Sequence, residues 1–179
     1  MVPVARMFTN DFRTREGVTP AMAEALVRRV RNAVQADHDG RCLIVDVNEG
    51  NFLVDEATFT DSYLVDVDSY QTPSYPATAI MATVRDYRGT PFSEATDWFS
   101  FGIIACQIFL GMHPFRGKHK KYPMADLEER IKRRASIFDT GVRHVRRLVR
   151  AAHGSAPEAV GDWGPPAGRF LGVPDLKAG

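Results

Sequence analysis

The sequence predicts a mainly α fold with a minor β component, an α+β domain, on three observations. Met22, Leu26, Val30 and Ala33 recur at helical spacing. The run from Trp98 to Leu110 is apolar on nearly every face, as a buried central helix requires. The β-prone stretches at 42–45, 52–54 and 63–65 are too short for a large sheet. With 179 residues, 44% of them apolar, the chain can bury a sizeable core as one domain without disulfides.

Taken in order, residues 1–18 read as irregular, broken by Pro3, Asn10 and Gly17, and form a separate N-terminal segment. Thr19-Pro20 is a helix start, a capping hydroxyl followed by proline at the first helical position. The helix runs to about Val34 and ends before the polar turn Asp37-His38-Asp39-Gly40. Cys42-Leu43-Ile44-Val45 is a short buried strand or extended segment, Asn48-Glu49-Gly50-Asn51 a tight polar loop, and Phe52-Leu53-Val54 extended again. Tyr63-Leu64-Val65 follows as another β-prone triplet. Residues 69–95 carry four Thr and three Pro with little periodicity, a long ordered loop. Asp97, or Thr96, caps the apolar helix, which Gly111 and Pro114 end. Two further helices are expected over 124–137, with Leu127, Ile131 and Ala135 on one face, and over 142–152. Residues 154–179 form a Pro/Gly-rich tail, so the domain proper spans 19–153.

Charge is unevenly placed. Residues 1–110 hold nine Lys/Arg against fifteen Asp/Glu, and residues 111–179 hold fourteen against seven. Arg130, Lys132, Arg133 and Arg134 on one helix, and Arg143, Arg146, Arg147 and Arg150 on the next, read as solvated faces or as a surface for an acidic partner. Aromatic residues do not interleave with them, which argues against single-stranded nucleic acid. Cys42 and Cys106 lie in apolar stretches and read as reduced buried thiols, and the five histidines match no zinc spacing. No apolar run is long enough to span a bilayer and no signal-peptide pattern opens the chain, so a soluble cytoplasmic protein is expected.

Nine carboxylates crowd between Asp37 and Asp68 with only Arg41 to offset them. Within this stretch Asp46 follows an apolar triplet, Asn51 lies five residues on across a turn, and Asp66 closes the next triplet. A loop and a neighbouring strand end can thus aim one amide and two carboxylates at a common point. Magnesium favours a few such oxygens together with substrate phosphates. A carboxylate left unligated can act as base towards a hydroxyl, the combination phosphoryl transfer uses.

Ile44-Val45-Asp46-Val47-Asn48-Glu49-Gly50-Asn51-Phe52-Leu53-Val54 resembles the catalytic loop of protein kinases, D-x-x-x-x-N followed by an apolar strand. Val65-Asp66-Val67-Asp68 stands where that family carries Asp-Phe-Gly. Asp97-Trp98-Phe99-Ser100-Phe101-Gly102, continuing to Gly111-Met112-His113-Pro114-Phe115, is similar to its buried central helix and following turn. The resemblance covers roughly residues 19–138, the helical C-terminal lobe, and is closest to the bacterial eukaryotic-like Ser/Thr kinases. It implies a kinase C-terminal-lobe fold whose short β-hairpins carry the catalytic loop, and a phosphotransferase using ATP and Mg2+. Asp46 would be the catalytic base, with Asn48 beside it where the phosphate-meeting lysine usually stands. Asn51 and Asp66 would be metal ligands, with Asp68 as a further one. Asp97 would be the buried acid that supports the catalytic loop. Residues 69–95 would be the activation segment, with Thr72, Ser74, Thr78 and Thr83 as candidate phosphoacceptors.

The chain departs from the family pattern at several points. Ile44 and Val45 replace His-Arg, Val67-Asp68 replaces Phe-Gly, and the acid that ends the activation segment is at best Asp86. No Gly-rich loop and no strand lysine are present. The resemblance therefore leads to the expectation that the nucleotide-covering N-terminal lobe is absent, lost upstream or supplied by another chain. The alternative is a catalytically inactive half-kinase, a pseudokinase acting as a protein-binding module.

Overall fold

The computed structural model describes residues 1–77, 81–88 and 91–137. They form a mixed α+β structure, mostly helical, with four α-helices and a three-stranded antiparallel sheet. The helix expected over 142–152 and the tail over 154–179 lie outside the described residues.

The N-terminal segment is ordered rather than irregular. Val2–Pro3 forms β1, Val4–Phe8 a 3-10 turn and Asn10–Arg15 helix α1. Val4, Met7 and Phe12 are buried in the main core, and this burial organises a stretch whose local sequence has no periodicity. β2, Phe52–Val54, pairs with β1 through Val2↔Val54 and Pro3↔Leu53. It pairs on its other side with β3, Ser62–Leu64, through Phe52↔Leu64 and Leu53↔Tyr63. Phe52 and Val54 are buried, so the alternation places Pro3, Leu53 and Tyr63 on the outward face. Residues 42–45 form no strand: their ladder is a single bridge between Leu43 and Gln71, and Val45 turns to φ 65.

Helix α2 spans Pro20–Asp39 and is capped by the Thr19 hydroxyl, which accepts from the Met22 N–H at 3.2 Å. Ala23, Leu26, Val27, Val30 and Val34 line its buried side. The helix runs five residues beyond Val34, through the expected polar turn, because His38 continues this buried stripe and finds a buried acceptor. Helix α3, Glu94–Leu110, packs on α2 and buries Phe101, Ile103, Ile104 and Ile108. Its N-cap is Ser93, whose N–H donates to the Thr96 hydroxyl, so neither Asp97 nor Thr96 is the cap. Helix α4 is short, Leu127–Lys132, with Asp126 as its cap. It stops because Arg134 turns to φ 54. Beyond it Ser136 and Ile137 bond to the Pro114 carbonyl. The expected inward residues hold nonetheless: Ile131 and Ala135 are buried and Leu127 partly so.

Both cysteines are free thiols, and burial pushes Cys106 up to about 12. No helix among the described residues is long and apolar enough to cross a membrane.

Gly111 ends α3 at φ 67, and a Cβ there would lie 2.7 Å from the Phe8 carbonyl oxygen. Gly111→Ala should lower unfolding stability by about 1–3 kcal/mol, since both the backbone region and the contact resist a side chain. Gly102, mid-helix with nothing within 4 Å of its would-be Cβ, is the matched control. Gly102→Ala should instead stabilise by roughly 0.5–1 kcal/mol. Urea midpoints at constant slope measure both.

Candidate functional site

The loop at 44–51 is held from below by one carboxylate. Asp97 is fully buried, one turn into α3. Its Oδ2 accepts from the Ile44 N–H at 2.8 Å and its Oδ1 from the Val45 N–H at 2.9 Å. His38 Nε2 lies 2.9 Å from Oδ2, so the ring carries its proton there and donates. The His38 ring also stands edge-on to Trp98 at 5.3 Å. Three buried donors from two segments thus meet one acid. The loop above is strained: Val45, β-branched and fully buried, sits at φ 65. Such strain persists where surrounding bonds over-determine it, and it clusters at functional sites. The Ser69 hydroxyl adds a further tie to the Ile44 carbonyl.

Asp46 emerges just beyond Val45 and is half-buried. Its Oδ2 accepts from Asn48 Nδ2 at 2.8 Å and its Oδ1 from the Met81 backbone N–H at 2.7 Å. Asn48 is 2% exposed, and its Oδ1 accepts from the Gly50 N–H. Asn48 is therefore a positioning residue that orients Asp46 and closes the turn. Asn51, buried at the end of the loop, donates Nδ2 to the Asp46 carbonyl at 3.0 Å. That bond turns the amide oxygen of Asn51 into the acceptor left for a ligand.

The Asn51 carbonyl in turn receives the Val65 N–H at 2.9 Å, fixing the end of β3 beside the loop. Asp66 follows at φ 64, exposed, in a left-handed conformation rare for a residue with a side chain. Asp68 is also exposed, in the 3-10 turn Val67–Ser69. Among the described residues no group of three His, Cys, Asp or Glu is arranged to hold a metal by itself. The chemistry of the donors nevertheless fits Mg2+, which takes one amide and one or two carboxylate oxygens and fills its shell with phosphates and water.

The long segment at 69–95 is anchored at both ends. Gln71 bridges to Leu43. At the far end Asp86 is buried and pairs with Arg134 at 2.6 Å, whose guanidinium lies 3.8 Å over the Phe99 ring. Between them His113 takes a proton on Nε2 for the Thr83 carbonyl while Nδ1 accepts from the Phe115 N–H. Of the candidate phosphoacceptors, Ser74 is exposed and Thr72 half-buried, bridged to Tyr75. The Thr83 hydroxyl is buried without a partner, so it is not presented to another molecule. Thr78 lies outside the described residues.

Two parts of this site escape sequence reasoning. His38 reads there as part of a polar turn, although its spacing from Val27, Val30 and Val34 continues the buried stripe. The Met81 contact comes from a backbone N–H and leaves no trace in residue type.

Asp97→Ala would leave three buried donors without an acceptor, each worth about 1–3 kcal/mol. The variant should lose about 3 kcal/mol or more of unfolding stability, and exchange at the Ile44 and Val45 amides should accelerate. A loss under about 1 kcal/mol would mean that the loop is held elsewhere. No known family model matches this chain, and a search of curated proteins returns no match either.

Proposed function

We propose that the chain is a protein kinase-like phosphotransferase lobe of the Ser/Thr type, using Mg-ATP and completed by a complementary nucleotide-covering lobe. The observation that carries this reading is the Asp97-supported loop, which places Asp46, Asn51 and the neighbouring Asp66 on bonded, strained backbone. In this reading Asp46 accepts the proton of an incoming hydroxyl, and Asn48 holds its carboxylate in orientation. Asn51 and Asp66 would hold the magnesium ion, with exposed Asp68 near enough in sequence to add an oxygen. The bound ion would neutralise charge on the transferring phosphate, which dominates catalysis of this class.

The outward face of the sheet supports a covering partner. Pro3, Leu53 and Tyr63 form one apolar cross-strand row, with Tyr63 50% exposed, and Val67 beyond it is 65% exposed. A protein-binding half-kinase without turnover is the second reading. It is favoured by Asp46 itself, since both of its carboxylate oxygens already accept hydrogen bonds, one from Met81.

Melting with Mg-ATP against ATP plus chelator separates the two. Magnesium-dependent stabilisation supports the phosphotransferase, and no shift at millimolar nucleotide supports the binding module. With a covering lobe supplied, Asp46→Asn should cut phosphotransfer about 10²–10⁴-fold. An unchanged rate would remove Asp46 from the role of base.

A further inference from the structure

A second concentration of chemistry lies after α3, and it does not depend on the phosphotransferase reading. Residues 116–121 read Arg-Gly-Lys-His-Lys-Lys. Arg116, Lys118, Lys120 and Lys121 are exposed and have no ion-pair partner among the described residues. The cations at the end of α4 and just beyond it differ: Lys132, Arg133 and Arg134 are neutralised by Glu128, Glu129 and Asp86.

Beneath this loop sits Arg130, 3% exposed, whose Nη1 donates to the Gly117 carbonyl. Gly117 is at φ 112, a backbone region open to glycine, and so can turn that carbonyl to Arg130. Nε and Nη2 of Arg130 are buried without an acceptor. Together they form the side-on edge of the guanidinium, the fork that takes two oxygens of one oxyanion. His119, 6% exposed, repeats the pattern. Its Nδ1 accepts from the Lys121 N–H at 3.2 Å, which puts the proton on Nε2, and Nε2 is also buried without an acceptor. The His119 ring stacks on Tyr122 at 5.3 Å, and Arg133 lies over the far partner of that stack, 4.8 Å from the Tyr122 centroid. An unmatched buried guanidinium is among the costliest features a fold can keep.

We propose that residues 116–122 and Arg130 form a binding site for a tetrahedral oxyanion of the phosphomonoester class. Three buried donors, two on Arg130 of α4 and one on His119, beside four loop cations with no carboxylate partner among the described residues, exceed what a single carboxylate can satisfy. A phosphate dianion, with several acceptor oxygens, matches both the donor count and the charge. The anion is free phosphate or a phosphoryl group carried on a peptide, and the two arms of the test distinguish them.

The full chain is melted in inorganic phosphate and in chloride at equal pH and ionic strength, without magnesium, so that the loop around Asp46 does not contribute. It is then titrated with a phosphoserine hexapeptide and its unphosphorylated form. Phosphate at several times its Kd should raise Tm by about 2–4 °C over chloride. Arg130→Met should abolish that difference, and in chloride it should melt no lower than the parent, because the buried charge it removes has no carboxylate partner among the described residues. Lys118→Ala combined with Lys120→Ala changes only exposed side chains and should weaken phosphate about tenfold. Tighter binding of the phosphopeptide than of inorganic phosphate assigns a protein-borne group, and equal binding assigns the free anion. Identical melting in phosphate and chloride, or an undiminished phosphate effect in the lysine double variant, overturns the site.

Discussion

Everything above α3 depends on one buried carboxylate. Asp97 has no contact with water, so its oxygens must be met inside the protein, and three N–H groups meet them. One comes from the last turn of α2 and two from consecutive residues of the 44–51 loop. The same bonds that make the acid tolerable in the core therefore hold the loop in a conformation it would not choose. Val45 at φ 65 is the clearest sign of this: a buried β-branched residue stays in the left-handed region because its N–H is committed. Asp46 is the next residue, so its direction follows from that strain.

The rest of the site is layered onto this support by hydrogen bonds to backbone carbonyls. Asn51 returns to the Asp46 carbonyl, Val65 bonds to Asn51, and Ser69 bonds to Ile44. The first link closes the loop on itself and the other two tie it to the following segment, so the end of β3 and the turn carrying Asp66 and Asp68 are held beside the loop. The small sheet continues directly from the loop, since β2 begins at Phe52, the residue after Asn51. Its inner face is filled by Phe52 and Val54, and its outer row of Pro3, Leu53 and Tyr63 remains apolar and open.

Charge is redistributed by folding in a way that simple counting does not reveal. The cationic excess of the C-terminal half suggests a basic helix face. On α4 that face is cancelled locally by i,i+4 carboxylates and at longer range by Asp86, which reaches Arg134 from the long segment. Among the described residues of that half, what survives is the run at 116–121 and the guanidinium of Arg130 beneath it. Exposed i,i+4 pairs contribute little to stability, about 0.3–0.5 kcal/mol each, but they decide where free positive charge is left.

Much of the architecture was legible because it follows from local rules. Thr19-Pro20 starts α2, the all-round apolar run is α3, and Gly111 ends it in the left-handed conformation that a C-terminal glycine supplies. β2 and β3 lie at the expected triplets, with β3 one residue earlier. The misses share a cause. Residues 1–18 gain their order from burial of Val4, Met7 and Phe12 against distant residues, and α4 is cut short where the chain turns back to Pro114. Sequence by itself determined which segments could be helix, strand or loop, because periodicity and capping act within a few residues. It also placed the carboxylates and amides in an order that suggests phosphoryl chemistry. Only the tertiary structure decided that Asp97 is a buried acceptor rather than a cap, that His38 is its partner, and that Arg130 is left with unmet donors. Those outcomes depend on which surfaces lose water when segments distant in sequence pack together, and no local pattern encodes that.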